Sequence, residues 1–278
     1  MDLNKAIEFA QLINAAYGIT PADLTNSAGM VTVAGGTTYT VVTTVYANDL
    51  ATDMNPGRGA DLVSIGLIFQ AAGTGDVVVA IRGTEGILEW LHDAEFLQVT
   101  CPFLAGAGHT EDGFTAMYNS FRTGVAPDSP SVVAALATLP FAQPVGPVTI
   151  CGHSLGGALA TLLALDLAAN SGFKDPTAYT YASPRTGDPS FVSTYNQVVP
   201  NSYRIANRID LVPKLPLPPR YDHVDTLFEL NSVRLLPLPP KLLVQLTIPC
   251  GHALNSYLYL LSIGAGGPLI PLDADCAP

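Results

Sequence analysis

Residues 148–160 read VTICGHSLGGALA. A short β-branched run enters a Gly-x-Ser-x-Gly sequence and leaves into ALATLLALDLAAN at 158–170. No other stretch limits the possible folds as sharply. A strand must stop and a helix must begin within a few residues, and glycine is needed where the two cross. Gly152 and Gly156 remove side chains that would clash there, and Gly157 with Ala158 let the helix start close to the strand. A serine on such a bend projects its oxygen above the sheet edge, beside the free N–H groups and positive end of the helix. The bland alternative is a turn that contains a serine. The position between strand and helix favours a nucleophile, Ser154.

The rest of the chain repeats the alternation. TVVTTVYAN (40–48), VSIGLIFQ (63–70) and DVVVAIRG (76–83) read as strands, the last a buried one. TAYTYASP (177–184) and NSYRIANR (201–208) are further strands, with a helix candidate, PSFVSTYNQVV, between them. Helical spacing recurs at 87–96, 113–123 and 131–139. The N-terminal MDLNKAIEFAQLINAAYGI sets Leu3, Ile7, Ala10, Ile13 and Tyr17 on one helical face. This order predicts an α/β fold with a mostly parallel central sheet flanked by helices. Prolines crowd into 213–249, around the strand-like VDTLFEL, but the leucines among them suit an ordered apolar loop better than a linker. The chain therefore reads as one domain over 1–278.

Composition removes several functions. The 278 residues carry 12 Lys and Arg against 23 Asp and Glu, a net charge of −11. Such a surface repels phosphate backbones, so nucleic acid is excluded as a partner and anionic membranes attract the chain little. Neutral or zwitterionic partners stay open. Hydrophobic residues make up 48% and charged residues only 13%, against about a quarter in typical soluble chains. No run reaches the roughly 18 apolar residues of a transmembrane segment. The surplus belongs to a large core or to an exposed apolar patch that binds something. Asp, Lys, Glu and Gln interrupt the N-terminal stretch, so it is not a signal peptide; secreted and intracellular settings both fit. Cysteines 101, 151, 250 and 276 lack metal-ligand spacing and are too sparse for a disulfide scaffold. Cys151 reads as a buried thiol, and Cys250 with Cys276 is a possible staple for the C-terminal tail.

A serine nucleophile needs a base and an orienting acid, in the chain order Ser, Asp, His for a strand-turn-helix hydrolase. His92 and His109 precede the serine, and His153 adjoins it on a bend that turns its side chain away. His223 and His252 remain. His223 begins an apparent strand, whereas His252, in PCGHALNSY, reads as a loop residue; loop placement favours His252. Asp210 follows the strand SYRIAN and precedes Pro213, the place for the acid. Asp166 lies within a helix, and Asp175 and Asp188 lie in turns. The oxyanion requires two donors: the N–H of Leu155, by the geometry of the bend, and Thr84 after VVVAIRG, by its N–H and hydroxyl. Immediately beyond, Ile87, Leu88, Trp90 and Leu91 form an apolar stripe within 84–97 that holds the only tryptophan. An amphipathic surface helix would show the same stripe; attachment to the oxyanion loop favours a short helical lid that binds substrate.

The combination of VVVAIRGTEGILEWLHD, EDGFTAMYNSFR, VTICGHSLGGALATLLALDL, YTYASPRTGDPSFV, YRIANRIDLVPKLP and HALNSYL resembles the class 3, fungal-type triacylglycerol lipases. These pieces, with the N-terminal helix ending AAYG, span most of residues 5–260. The resemblance implies an α/β-hydrolase fold, a Ser154–Asp210–His252 triad, an oxyanion hole of Thr84 and Leu155, and a lid around Trp90. It also implies that His223 belongs to a structural motif. The expected activity is hydrolysis of acylglycerols or similar aliphatic esters, at a lipid–water interface and through an acyl-enzyme, with no metal or organic cofactor. Feruloyl- or aryl-esterase and phospholipase A1 activities are alternatives on the same scaffold. A catalytically dead lipid-binding protein is the non-enzyme alternative.

Overall fold

In a computed structural model of the chain, the described residues are 1–18, 29–49, 62–84, 96–143, 145–232 and 247–277. Two strands set the centre of the sheet. Strand β4 (Val77–Ile81, VVVAI) is buried at every position, and β7 (Val148–His153) at all but one. Runs that are apolar on both faces need cover on both sides, which a parallel sheet between helix layers supplies. β4 and β7 are parallel neighbours, in register from Val77 against Val148 to Ile81 against Gly152.

Beyond β7 the sheet continues in parallel through β8 (Thr177–Tyr181), β9 (Ser202–Asn207) and β10 (Leu227–Leu230). On the other side it is antiparallel, through β3 (Leu62–Ala71), β2 (Thr38–Asn48) and β1 (Met30–Thr32). The order among the described residues is β1-β2-β3-β4-β7-β8-β9-β10, an eight-stranded mixed sheet whose parallel half begins at β4. A separate two-stranded ribbon joins β5 (Gln98–Thr100) to β6 (His109–Glu111).

Alternation along β4 divides the interior in two. Val77, Val79 and Ile81 face a cluster with helix α4 (Leu155–Asn170), flanked by α2 (Asp112–Asn119), α3 (Val132–Leu136) and α5 (Pro189–Val198). Val78 and Ala80 face the opposite cluster, built from α1 (Leu3–Gly18) and α7 (Leu254–Ala265). Helix α4 is apolar on all sides because sheet and helices enclose it; Leu155 to Leu165 are buried without a break. Helix α1 buries a face wider than its sequence stripe, including Ala6, Phe9 and Leu12, while Tyr17 keeps 36% exposure at its end.

The structure revises several local expectations. Helix α4 begins at Leu155 rather than Ala158, and α2 and α3 are shorter than their sequence patterns. His252 is not on a loop: it closes the short helix α6 (Ile248–His252), which Pro249 starts and the Thr247 side chain caps. His223 does not begin a strand, since β10 starts at Leu227. Cys250 and Cys276 form a disulfide, pinning α6 to the C-terminal segment, while Cys101 and Cys151 are free and buried. Of the candidate lid at 84–97, residues 85–95, including Ile87, Leu88, Trp90 and Leu91, lie outside the described residues. No helix among the described residues is long and apolar enough to cross a membrane.

Candidate active site

Ser154 sits between β7 and α4 with φ 59° and ψ −128°, a conformation that L-residues adopt only under constraint. The surrounding backbone supplies that constraint. A Cβ on Gly152 would lie 2.0 Å from the Gly156 carbonyl oxygen, and one on Gly156 would lie 2.4 Å from that of Ile81. The strand and helix approach so closely that neither glycine tolerates a side chain. The Ser154 N–H donates to the Tyr181 carbonyl at 2.8 Å, tying the bend to β8.

The side chains proposed for the chemistry meet at this bend. Ser154 Oγ lies 2.9 Å from His252 Nε2, and His252 Nδ1 lies 2.9 Å from Asp210 Oδ2 and 3.1 Å from Oδ1. All three residues are buried. A carboxylate only accepts, so Nδ1 of His252 donates to Asp210, which leaves Nε2 facing the serine hydroxyl. Asp210 follows β9 and its carboxylate also accepts from the Val212 N–H at 3.0 Å and the Tyr257 hydroxyl at 2.7 Å. Burial first, then the Asp210 charge, pushes the Tyr257 hydroxyl well above its ordinary range, which keeps it a donor.

Thr84 lies at the C-terminal side of β4. It borders a cleft of about 300 Å³ with Tyr17, His153 and His252, and a smaller one of about 80 Å³ with Leu155, Ile65 and Met117. It thus stands beside both His252 and Leu155, the first residue of α4. The leading N–H groups of a helix have no intrahelical acceptor, and Leu155 occupies that position.

Three contributors escaped the sequence reading. Asn207, at the end of β9, donates from its side chain to the Gly251 carbonyl at 3.0 Å and from its backbone to the Tyr257 oxygen at 2.9 Å. It therefore joins the end of β9, which leads to Asp210, to helix α6, which ends at His252. Tyr257 follows His252 by five residues, and Tyr17 precedes the serine by well over a hundred; neither spacing carries a local signal. His153 is neutral, pulled down to about 3 by burial and by His252, and contacts both Tyr17 and His252. His223 lies away from the serine and bonds the Pro213 carbonyl, bracing the turn after Asp210.

An open α/β sheet with a serine on a strand-to-helix bend, met by Asp and His from later segments, defines the α/β-hydrolase class. The class 3 lipase family matches residues 78–219. The secreted mono- and diacylglycerol lipase 1 of Fusarium solani is 37% identical over 142 residues, 51% of this chain and 39% of that protein. Phospholipase A1-II 7 of Oryza sativa subsp. indica is 31% identical over 237 residues, 74% of this chain and 57% of that protein. Among solved structures, a mutant form of MDLA from Penicillium cyclopium superposes with a TM-score of 0.58 at 25% identity. That match covers 83% of this chain and 81% of the other. The Rhizomucor miehei lipase–propeptide complex has the same fold, with a TM-score of 0.57 at 23% identity over 82% of this chain and 67% of the other. The chain belongs to the class 3 lipase family. It spans about half the length of the curated relatives it matches.

Proposed function

We propose that this protein is a serine carboxylic-ester hydrolase that cleaves acylglycerols or related aliphatic esters. The observation that carries the reading is the unbroken contact from Ser154 Oγ through His252 to Asp210, with each bond near 2.9 Å. In this mechanism His252 Nε2 takes the serine proton as Oγ adds to the ester carbonyl. Asp210 holds the ring and offsets the positive charge it acquires. The N–H groups of Leu155 and Thr84 receive the negative oxygen. Collapse expels the alcohol, which leaves with the proton from His252, and the acyl group stays on Ser154. Water then repeats the sequence and releases the acid. Hydrophobic segments beyond Thr84, with Ile87, Leu88, Trp90 and Leu91, serve as the lid in this reading.

The acidic surface suits a neutral or zwitterionic lipid. Mono- and diacylglycerols are the substrates named for the Fusarium and Penicillium relatives, and they fit the −11 net charge. A second reading, phospholipase A1, has the support of the rice relative, whose match extends over 74% of the chain.

Initial rates on p-nitrophenyl esters from acetyl to palmitoyl, with Ser154→Ala alongside, test the reaction. The expected loss in the variant is on the order of 10⁴- to 10⁶-fold in kcat. Equal residual rates in the two proteins overturn the hydrolase reading. A rate that climbs when a long-chain glyceride exceeds its solubility supports the lipase reading, and a rate confined to short soluble esters makes the protein an esterase. Release of the 1-acyl chain from phosphatidylcholine in preference to diacylglycerol hydrolysis selects the second reading.

A further inference from the structure

Tyr17, in the last turn of α1, touches two parts of the site from outside the triad. Its donors and acceptors can be assigned one at a time. The backbone carbonyl of His252 only accepts, so His153 Nε2, 2.9 Å away, carries the ring proton. The ring is neutral, so Nδ1 is a bare acceptor. The Tyr17 hydroxyl, 2.9 Å from Nδ1, therefore donates to it. The same oxygen accepts the Gly83 N–H at 2.8 Å. One directed chain runs from Gly83 to Tyr17 to His153 to the backbone of His252.

Each end of that chain adjoins a group the reaction uses. Gly83 immediately precedes Thr84, and His252 is the base. The packing has no slack: a Cβ on Gly83 would lie 2.7 Å from the Tyr17 oxygen and 2.9 Å from Ser154 Cβ. The His153 and His252 rings lie 4.9 Å apart between centroids at 36°. With both of its nitrogens engaged, His153 has no proton to exchange with the serine. What the arrangement fixes is distance, between the loop that receives the oxyanion and the helix that carries the base.

We propose that Tyr17 is a positioning residue that, through His153, couples the Gly83–Thr84 loop to the His252 backbone, so that oxyanion donor and base keep one geometry around Ser154. The inference rests on the ester-hydrolase reading above. Donors aimed in advance at the developing charge lose much of their effect when they shift, and a displacement of about 1 Å costs on the order of 100-fold in rate.

The test is steady-state hydrolysis of p-nitrophenyl butyrate by the full chain and by Tyr17→Phe, His153→Leu, His153→Gln and the Tyr17→Phe/His153→Leu double variant. Tyr17→Phe is expected to lower kcat about 10- to 100-fold, with KM within about twofold of the parent. Its thermal midpoint should stay within a few degrees, because the ring remains and only a part-exposed hydroxyl is lost. His153→Gln, whose amide both donates and accepts, should recover most of the rate that His153→Leu loses. The double variant should be no slower than the slower single, since the two act as one unit. Where His153→Leu does not fold, Tyr17→Phe against His153→Gln decides. A Tyr17→Phe protein with parental kcat, a loss seen only in KM or thermal midpoint, or single effects that multiply in the double variant each overturn the inference. Failure of the hydrolase reading looks different: a parent chain that neither turns over nor is labelled at Ser154 by a fluorophosphonate refutes that reading and this inference with it.

Discussion

Asp210 accepts from three donors, and each holds it for a different purpose. The Val212 N–H fixes the loop, Tyr257 orients the carboxylate, and His252 Nδ1 is the contact that sets the imidazole tautomer. Asp210→Asn keeps the shape but places an amide against a ring proton and a hydroxyl proton, so one oxygen must serve donors that two served before. The imidazole then gains by turning its bare nitrogen toward the amide, and Ser154 loses its acceptor. The expected outcome is a fall in kcat on the order of 10⁴-fold with little change in KM, read from p-nitrophenyl ester kinetics. A fall of tenfold or less would mean that Asp210 only anchors the loop. At this scale the sequence was informative where a residue's neighbours in the chain explain it. Ser154 is flagged by its glycines and Asp210 by a strand end. Tyr257, Asn207 and Tyr17 act through contacts made only after the chain has folded back, and no local pattern marks them.

Among the elements, the bend between β7 and α4 was legible because its glycines answer to local sterics alone. Helix α6 was not. It is five residues long, and its Pro-Cys-Gly-His sequence lacks an apolar period, so it resembles a loop until Thr247 is seen to cap it. The three-residue strands β5 and β6 are likewise too short to show alternation. The disulfide from Cys250 to Cys276 gives α6 the anchorage that its own length denies. Closing a loop with a separation of 26 residues removes unfolded-state freedom equivalent to about 3.5 kcal/mol. Cys250→Ser with Cys276→Ser should lower the thermal midpoint by roughly 7–14 °C. It should also lower kcat more than a mutation of equal cost elsewhere, because His252 ends the freed helix. Calorimetry and ester kinetics on the double variant check both; an unchanged midpoint would show that the C-terminal segment is held without the bond.

Over the molecule as a whole, the alternation of strands and helices was enough to forecast an α/β sheet, but not that its first four strands would be antiparallel. Direction depends on connection length and on which edges meet, and pattern within a strand does not encode it. The folded molecule also has a pH signature that no single element owns. Burial is the leading cause that pulls His153 and His223 down to about 3. The unfolded chain holds these protons from the ordinary imidazole range downward, while the folded chain refuses them until about pH 3. Unfolded molecules therefore bind more protons across that window, and stability must fall as pH falls through it. Glu111 works the other way: burial lifts it to about 7, so its contribution is present at low pH and is lost as pH rises through about 7. Two histidines against one carboxyl leave a net loss on acidification. A drop in thermal midpoint on the order of 5 °C or more between pH 7 and pH 4.5 is expected, smaller in His223→Gln. A flat profile would mean that water reaches these rings.

The order of the site along the chain has its own consequence in time. A polypeptide is made from one end, and here Tyr17 comes first, Ser154 after it, Asp210 later, and His252 with its cysteine anchor after all three. A growing chain therefore carries its serine for a long interval without a partner to remove its proton. By the ester-hydrolase reading proposed above, the chain gains activity only after the segment that carries His252 has been made and has folded back onto the serine.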